Sequence, residues 1–229
     1  MSLRTFILGL SASFGFAWLA VVVVPYFKMK DLEPIPFLES DATNQVFYPK
    51  RTGRIADGAK VYAENGCYLC HTQVVRPTYA GNDLYRSDWG GLEDDGDGLD
   101  TRRETNSYDF IGETYAQIGV TRMGPDLSNL ALRVENQYAG DLSPEAYLYE
   151  RLYNPRNNSK LWKSTCPPHP FLFDKRKIKG NESNAALDIE TCEGYEVVPG
   201  SDARALVSYL MSLKKDHPVP PALDFAPSK

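Results

Sequence analysis

Two thiols and an imidazole stand together in the string Cys67-Tyr68-Leu69-Cys70-His71. Cysteines at this spacing share one face of a short helical turn, and the histidine follows directly. C-x-x-C-H is the attachment sequence of a c-type haem, in which both thiols bond covalently to the haem edge. His71 would then sit under the iron as its proximal ligand. Zinc normally asks for four ligands, often as two such pairs, and the chain has no second C-x-x-C. A thioredoxin-like dithiol would need a βαβ context that the flanking sequence lacks. The expectation is one covalently bound haem c.

Such a turn needs elements to hold it. Asp57 is placed to cap a short helix over DGAKVYAEN, with Gly66 as its C-terminal stop, and that helix would deliver the turn. Ser143-Pro144-Glu145 reads as a second helix start: a capping serine, proline in the first turn, and an acid at the positive end. That helix runs to about Tyr153 and stops before Asn154-Pro155. A last helix is expected from about Ser201 to Lys215, with Ala203, Leu206, Val207, Leu210 and Leu213 as its apolar stripe. Lys214 and Lys215 would suit its negative end.

Ahead of these, Phe6 to Tyr26 carries no charged residue and is about long enough to span a bilayer. Gly9, Gly15 and Ser11 to Ser13 could let a neighbouring helix approach closely, and Tyr26 and Phe27 lie where an interfacial belt would sit. The segment ends VVVVPYFKMK rather than in a small-x-small cleavage site, which favours a retained anchor over a signal peptide. Arg4 before the span and Lys28 and Lys30 after it give the positive-inside rule little purchase. Haem attachment decides the side instead, since it takes place outside the bacterial inner membrane. The larger C-terminal part is expected in the periplasm, on a single-pass anchor.

The 229 residues are 42% hydrophobic and 24% charged, with a net charge of -5. That is room for one domain plus an anchor, and the acidic balance argues against a nucleic-acid partner. The reading is a mainly α chain: a transmembrane anchor over 1–30, an extended proline-containing spacer over 31–50, a small haem domain with irregular loop insertions over 51–216, and a proline-rich tail over 217–229. Ala80 to Thr105 reads as a surface loop. Its acidic stretch, Asp94 to Asp100, lacks the twelve-position pattern and closing glutamate of an EF-hand, so a solvated loop is expected there rather than a calcium site. His217, in the tail, reads as solvent-exposed. Cys166 and Cys192 are left over as an even pair in an oxidising compartment.

Four stretches, GAKVYAENGCYLCHTQVVRPTYA, TRMGPDLSNLALR, LYNPRNN and ARALVSYLMSL, follow the span in this order. Together they resemble the monohaem subunit, subunit II, of cbb3-type cytochrome c oxidases. CYLCH alone is generic; CHTQVVRP, and R-x-GPDL followed by LYNPRN, are far more specific. The resemblance implies a cytochrome c-like domain without a catalytic centre of its own. It would pass electrons from a dihaem partner subunit or a soluble or membrane cytochrome c donor to the catalytic haem–copper subunit, where oxygen is reduced. It also implies that Pro125 borders the haem and orients His71 through its carbonyl. Arg76 and Arg122 become candidates for a haem propionate or a subunit contact, beside the plainer reading of surface arginines.

One departure concerns the far side of the iron. The family draws its distal ligand from a methionine in an M-P-x-x-P stretch, where this chain has Cys166-Pro167-Pro168-His169-Pro170. His169 is the favoured replacement, with Met123, Cys166 as thiolate and Met211 as alternatives. A Cys166–Cys192 disulfide would account for both cysteines that the family pattern lacks, closing a loop of about 26 residues and contributing roughly 3 kcal/mol. Loss of methionine ligation is expected to lower the reduction potential. Other readings differ in class: the small cytochrome c subunit of a nitric oxide reductase, an independent membrane-tethered electron carrier or haem sensor, and a structural zinc module. Co-purifying copper with oxygen consumption would support the oxidase, and non-haem iron with nitric oxide consumption the reductase.

Overall fold

Nothing between Phe6 and Tyr26 opposes a helix, and in the computed structural model one continuous helix, α1, runs over Leu3–Met29. The structure describes residues 2–31, 51, 53–93, 100–138, 140, 142–157, 163–217 and 219. They fall into two units, one within Met1–Phe37 and the other within Leu38–Lys229. The Ser2 hydroxyl opens α1 by accepting the Thr5 amide at 3.3 Å. Leu19–Val23 forms a π-turn, closed by the Val24 amide bonding back to the Leu19 carbonyl. Pro25 follows at once; a proline ring crowds the carbonyl four residues before it and offers no N–H, so the chain widens there. With 27 residues and mean hydropathy 2.2, α1 is long and apolar enough to cross a membrane.

The second unit is built on two helices. Helix α2 spans Arg54–Glu64, and the last helix, α5, spans Ser201–Met211. They cross at Gly58, where a Cβ would fall on the Ala205 carbonyl and 2.7 Å from Tyr209 Cβ. Val61 and Tyr62 of α2 and Leu206, Val207, Tyr209 and Leu210 of α5 are buried in this crossing and the core around it. Between them come the short α3, Leu130–Arg133, which runs into a π-turn over Val134–Tyr138, and α4, Pro144–Tyr153. The Ser143 hydroxyl caps α4 by accepting the Ala146 amide at 3.1 Å, and the helix stops where the sequence indicates.

Several expectations need correction. Asp57 lies in the first turn of α2, and the cap is Gly53 at φ 56°. Helix α5 ends at Met211, four residues early, because Leu213 and Lys215 turn into the core; Lys215 is fully buried and Lys214 pairs with Glu135 at 2.8 Å. Ala80 to Thr105 is not all surface. Asp83 and Leu84 are buried in a 3-10 turn, and Arg103 is buried against Asp109, its Nη1 donating at 2.9 Å. His217 is half-buried, with its carbonyl accepting from Arg103 Nε at 2.9 Å, and Val219 is buried.

A hairpin, absent from the sequence reading, pairs β1, Phe173–Lys177, antiparallel with β2, Tyr195–Pro199, from Phe173 opposite Pro199 to Lys177 opposite Tyr195. Most of β1 is charged and exposed, whereas Val197 and Val198 of β2 face inward. The expected spacer, apart from Asp31, and Asp94, Asp95 and Asp97 of the acidic stretch lie outside the described residues.

Candidate functional site

Helix α2 delivers the C-x-x-C-H string as expected from its spacing. Gly66 leaves the helix in the left-handed region, φ 67°, and Cys67–Leu69 then form one 3-10 turn. The amides of Cys70 and His71 both donate to the Cys67 carbonyl, at 3.2 and 3.0 Å. A second segment is laced along this turn: Val120 N donates to Tyr68 O (2.8 Å), Thr121 Oγ1 to Leu69 O (2.6 Å) and Gly124 N to Cys70 O (2.9 Å).

That lacing brings Pro125 to His71. The imidazole Nδ1 donates to the Pro125 carbonyl at 2.7 Å. A carbonyl can only accept, so the proton is on Nδ1 and the Nε2 lone pair is free to bind a metal. Gly124 packs its backbone against the same ring: a Cβ there would lie 2.6 Å from Nδ1 and 2.8 Å from Nε2. Burial holds the His71 pKa below the ordinary histidine range, against the opposing pull of the Pro125 bond, so the ring is neutral near pH 7. Burial likewise pushes the Cys67 thiol up to about 11, helped by the nearby Cys166 and Cys70. The site therefore offers two thiols and one oriented neutral imidazole.

Asp126 braces the strand of chain leaving the turn. Its carboxylate accepts from Thr72 Oγ1 (2.6 Å), Val74 N (2.8 Å) and Ser128 N (2.8 Å), and its own carbonyl accepts from the buried Arg133.

Arg76 and Arg122, the two arginines singled out for a propionate or subunit contact, both converge on one buried carboxylate. Arg76 grips the buried Asp83 with two nitrogens, at 3.1 and 2.9 Å, and Arg122 Nη1 reaches the same carboxylate at 2.7 Å. Arg122 Nη2 also donates to the Val74 carbonyl. A buried carboxylate draws cations because it is costly unpaired. Burial alone would raise the Asp83 pKa, but these hydrogen bonds outweigh it and hold it below the usual carboxylate range.

The distal candidates are spread out. Met123 is 70% exposed. Met211 packs against the core at the end of α5. His169 is buried, with its amide on the Leu152 carbonyl at 2.9 Å and its ring 5.6 Å from that of Phe171. Cys166 is half-buried, its amide donating to Ser164 Oγ at 3.3 Å and its sulfur 3.7 Å from the Pro167 carbonyl. The expected Cys166–Cys192 disulfide is not formed; both are free thiols. Cys192 is exposed beside the hairpin turn, where its carbonyl accepts the Tyr195 amide at 3.0 Å and Lys175 Nζ lies 3.4 Å from its sulfur, whereas Cys166 sits in a loop where its carbonyl accepts from Arg156 Nη1 at 3.0 Å.

Three residues of this neighbourhood were missed from sequence: Asp83, Gly124 and Asp126. Gly124 and Asp126 lie inside the recognised GPD string, so a signal was present; Asp83 carries none of its own. No protein-family model matches the chain, and the curated protein sequences compared with it give no match.

Proposed function

We propose that this chain is a membrane-anchored monohaem cytochrome c that relays electrons, most like subunit II of a cbb3-type oxidase. The observation that carries the reading is the C-x-x-C-H turn with His71 Nδ1 bound to the Pro125 carbonyl. It leaves an imidazole of fixed tautomer and orientation directly after two paired thiols, the donor set that a c-type haem requires. When bound, that haem supplies one-electron chemistry at its iron. The chain's residues do the rest: Cys67 and Cys70 fasten the haem edge, His71 presents Nε2, Pro125 and Gly124 fix the ring, and Asp126 holds the segment behind it.

Helix α1 supports a membrane anchor, since an apolar helix of 27 residues with no buried side chain asks for lipid or another apolar helix. On this reading the larger unit is periplasmic and the anchor sits in a bacterial inner membrane. The partners are the haem–copper catalytic subunit, its companion cytochrome c subunits and a cytochrome c donor.

The test is expression of the full chain in its native membrane with an affinity tag, followed by gentle solubilisation. Haem that stays with the polypeptide after acid–acetone extraction, together with co-purifying copper and cytochrome c-dependent oxygen consumption, is the expected result. Extractable or absent haem would overturn the cytochrome reading. Haem without copper or oxygen consumption would reject the oxidase alone.

A further inference from the structure

We infer that Asp83, carried by the loop that follows the C-x-x-C-H turn, is a positioning residue for His71, acting through Arg122 on the segment whose Pro125 carbonyl orients the imidazole. This rests on the proposed function for what the orientation is worth to a haem; the contacts themselves belong to the chain alone.

The loop is shaped to bring a carboxylate inward. The Pro77 carbonyl accepts the amides of Ala80 (2.9 Å) and Gly81 (3.1 Å), and the chain turns back over Arg76. Gly81 lets it come close, since a Cβ there would lie 2.5 Å from the guanidinium carbon of Arg76. The 3-10 turn Asp83–Tyr85 then presents Asp83 with its side chain 1% exposed. A carboxylate so placed is costly unless it is paired and hydrogen-bonded. Asp83 accepts four bonds from two arginines. The Arg76 amide and Nε reach Oδ2 at 3.0 and 3.1 Å, Arg76 Nη2 reaches Oδ1 at 2.9 Å, and Arg122 Nη1 reaches Oδ2 at 2.7 Å. Desolvation offsets much of the attraction in a buried ion cluster, so its net contribution to stability is small. Geometry is what this one supplies.

Arg122 is the brace that carries the effect. Its Nη2 donates to the Val74 carbonyl and lies 3.6 Å from Asp126 Oδ2, so one guanidinium joins the segment leaving His71 to both carboxylates. Its backbone runs directly into Met123-Gly124-Pro125, where Gly124 N donates to Cys70 O at 2.9 Å and Pro125 O accepts His71 Nδ1 at 2.7 Å. The short, charge-assisted bond to Asp83 fixes the direction of the guanidinium. Without it, Asp126 is the remaining carboxylate, and its oxygens already serve Thr72, Val74 and Ser128. Asp126 still ties its own segment to Thr72, so removing Asp83 loosens the His71–Pro125 bond rather than breaking it.

The experiment uses the full haem-loaded chain in detergent, reduced so that the iron is diamagnetic, with nitrogen-15 in the histidine rings; three histidines keep the spectrum small. The readouts are the solvent-exchange rate of the His71 Nδ1 proton and the reduction potential. They are taken for the parent, Asp83→Asn, Arg122→Lys and a control, Arg176→Gln, which removes a hairpin ion pair. Covalent haem is assayed first. Its absence from the parent overturns the proposed function, and the same proton is then followed in the haem-free chain, so the positioning role is judged separately. Asp83→Asn should speed exchange by about two- to tenfold, the range that loss of one net hydrogen bond spans. Its potential should rise, because a looser Nδ1 bond makes the imidazole a weaker donor to ferric iron. Arg122→Lys keeps the charge but not the fork that reaches both Asp83 and Val74; it should fold and show the same two changes with net charge unaltered. Arg176→Gln should show neither. Unchanged exchange in folded Arg122→Lys, or an Asp83→Asn variant altered only in melting temperature, would overturn the inference. A potential that moves in Asp83→Asn with exchange unchanged would make Asp83 a nearby charge and overturn its positioning role equally.

Discussion

At the scale of single residues, the site depends on an absence. His71 is oriented by one hydrogen bond to Pro125, and the space its ring occupies exists because residue 124 has no side chain. Gly124→Ala should force the ring off the Pro125 carbonyl, since the new methyl meets ring atoms and Gly124 itself is tied to the Cys70 carbonyl. On the proposed cytochrome reading the expected outcome is a haem still attached through Cys67 and Cys70 but with a mixed-spin absorption spectrum, and in any case a loss of about 1–3 kcal/mol in stability from overpacking. An unchanged spectrum and unchanged urea midpoint would show that the ring has room to spare. The turn that brings Cys67, Cys70 and His71 together was legible in the sequence because spacing alone defines it. The pairing of Arg76 and Arg122 with Asp83 was not, because an aspartate in a polar stretch shows no sign of being buried until the fold closes over it.

Elements follow a different logic. Helix α4 could be read end to end because its signals are local: a capping serine, a proline in the first turn and Asn154-Pro155 beyond the last. The apolar stripe of α5 was legible for the same reason, but its end was not, since Leu213 and Lys215 are held by packing rather than by a terminator. The hairpin was missed because β1 is DKRK after its first residue, a run whose charges belong to solvent and only its β2 partner is apolar. Both α2 and α5 could be read from sequence, but not the residue at which they cross. Gly58→Ala tests that residue. Alanine is the better helix former by about 1 kcal/mol, so an exposed position would gain stability. Here the methyl meets backbone atoms of Ala205 and Tyr209 Cβ, none of which can rotate away. The overpacking cost of about 1–3 kcal/mol should therefore outweigh propensity, giving a lower melting temperature by circular dichroism. A rise would mean that the two helices can slide apart cheaply.

At the scale of the whole molecule, stability depends on a charge cluster that joins distant parts of the second unit. Arg51, at the start of its described chain, and Lys215, beyond its last helix, both reach Glu113, at 3.4 and 3.7 Å, and all three side chains are buried. Lys215 also lies 3.5 Å over the Phe110 ring. A net charge of -5 gives no hint of this interior. Burial pulls the Lys215 pKa down to about 8, Glu113 opposing and Arg51 assisting. The sign follows from proton counting. Below about pH 8 the lysine is charged in both folded and unfolded chains, and its burial cost is fully present. Between about 8 and the ordinary value of 10.5 the unfolded chain holds more protons than the folded one, so this group's contribution raises stability as pH rises. Across that window the gain should be on the order of 2 kcal/mol. Urea unfolding of the full chain and of Lys215→Met, followed by far-ultraviolet circular dichroism from pH 7.5 to 10, isolates it. The stability of the parent relative to the variant should climb with pH, because methionine has no proton to lose. A difference that stays flat over that range would mean that water reaches the cluster and leaves Lys215 with an ordinary affinity for its proton.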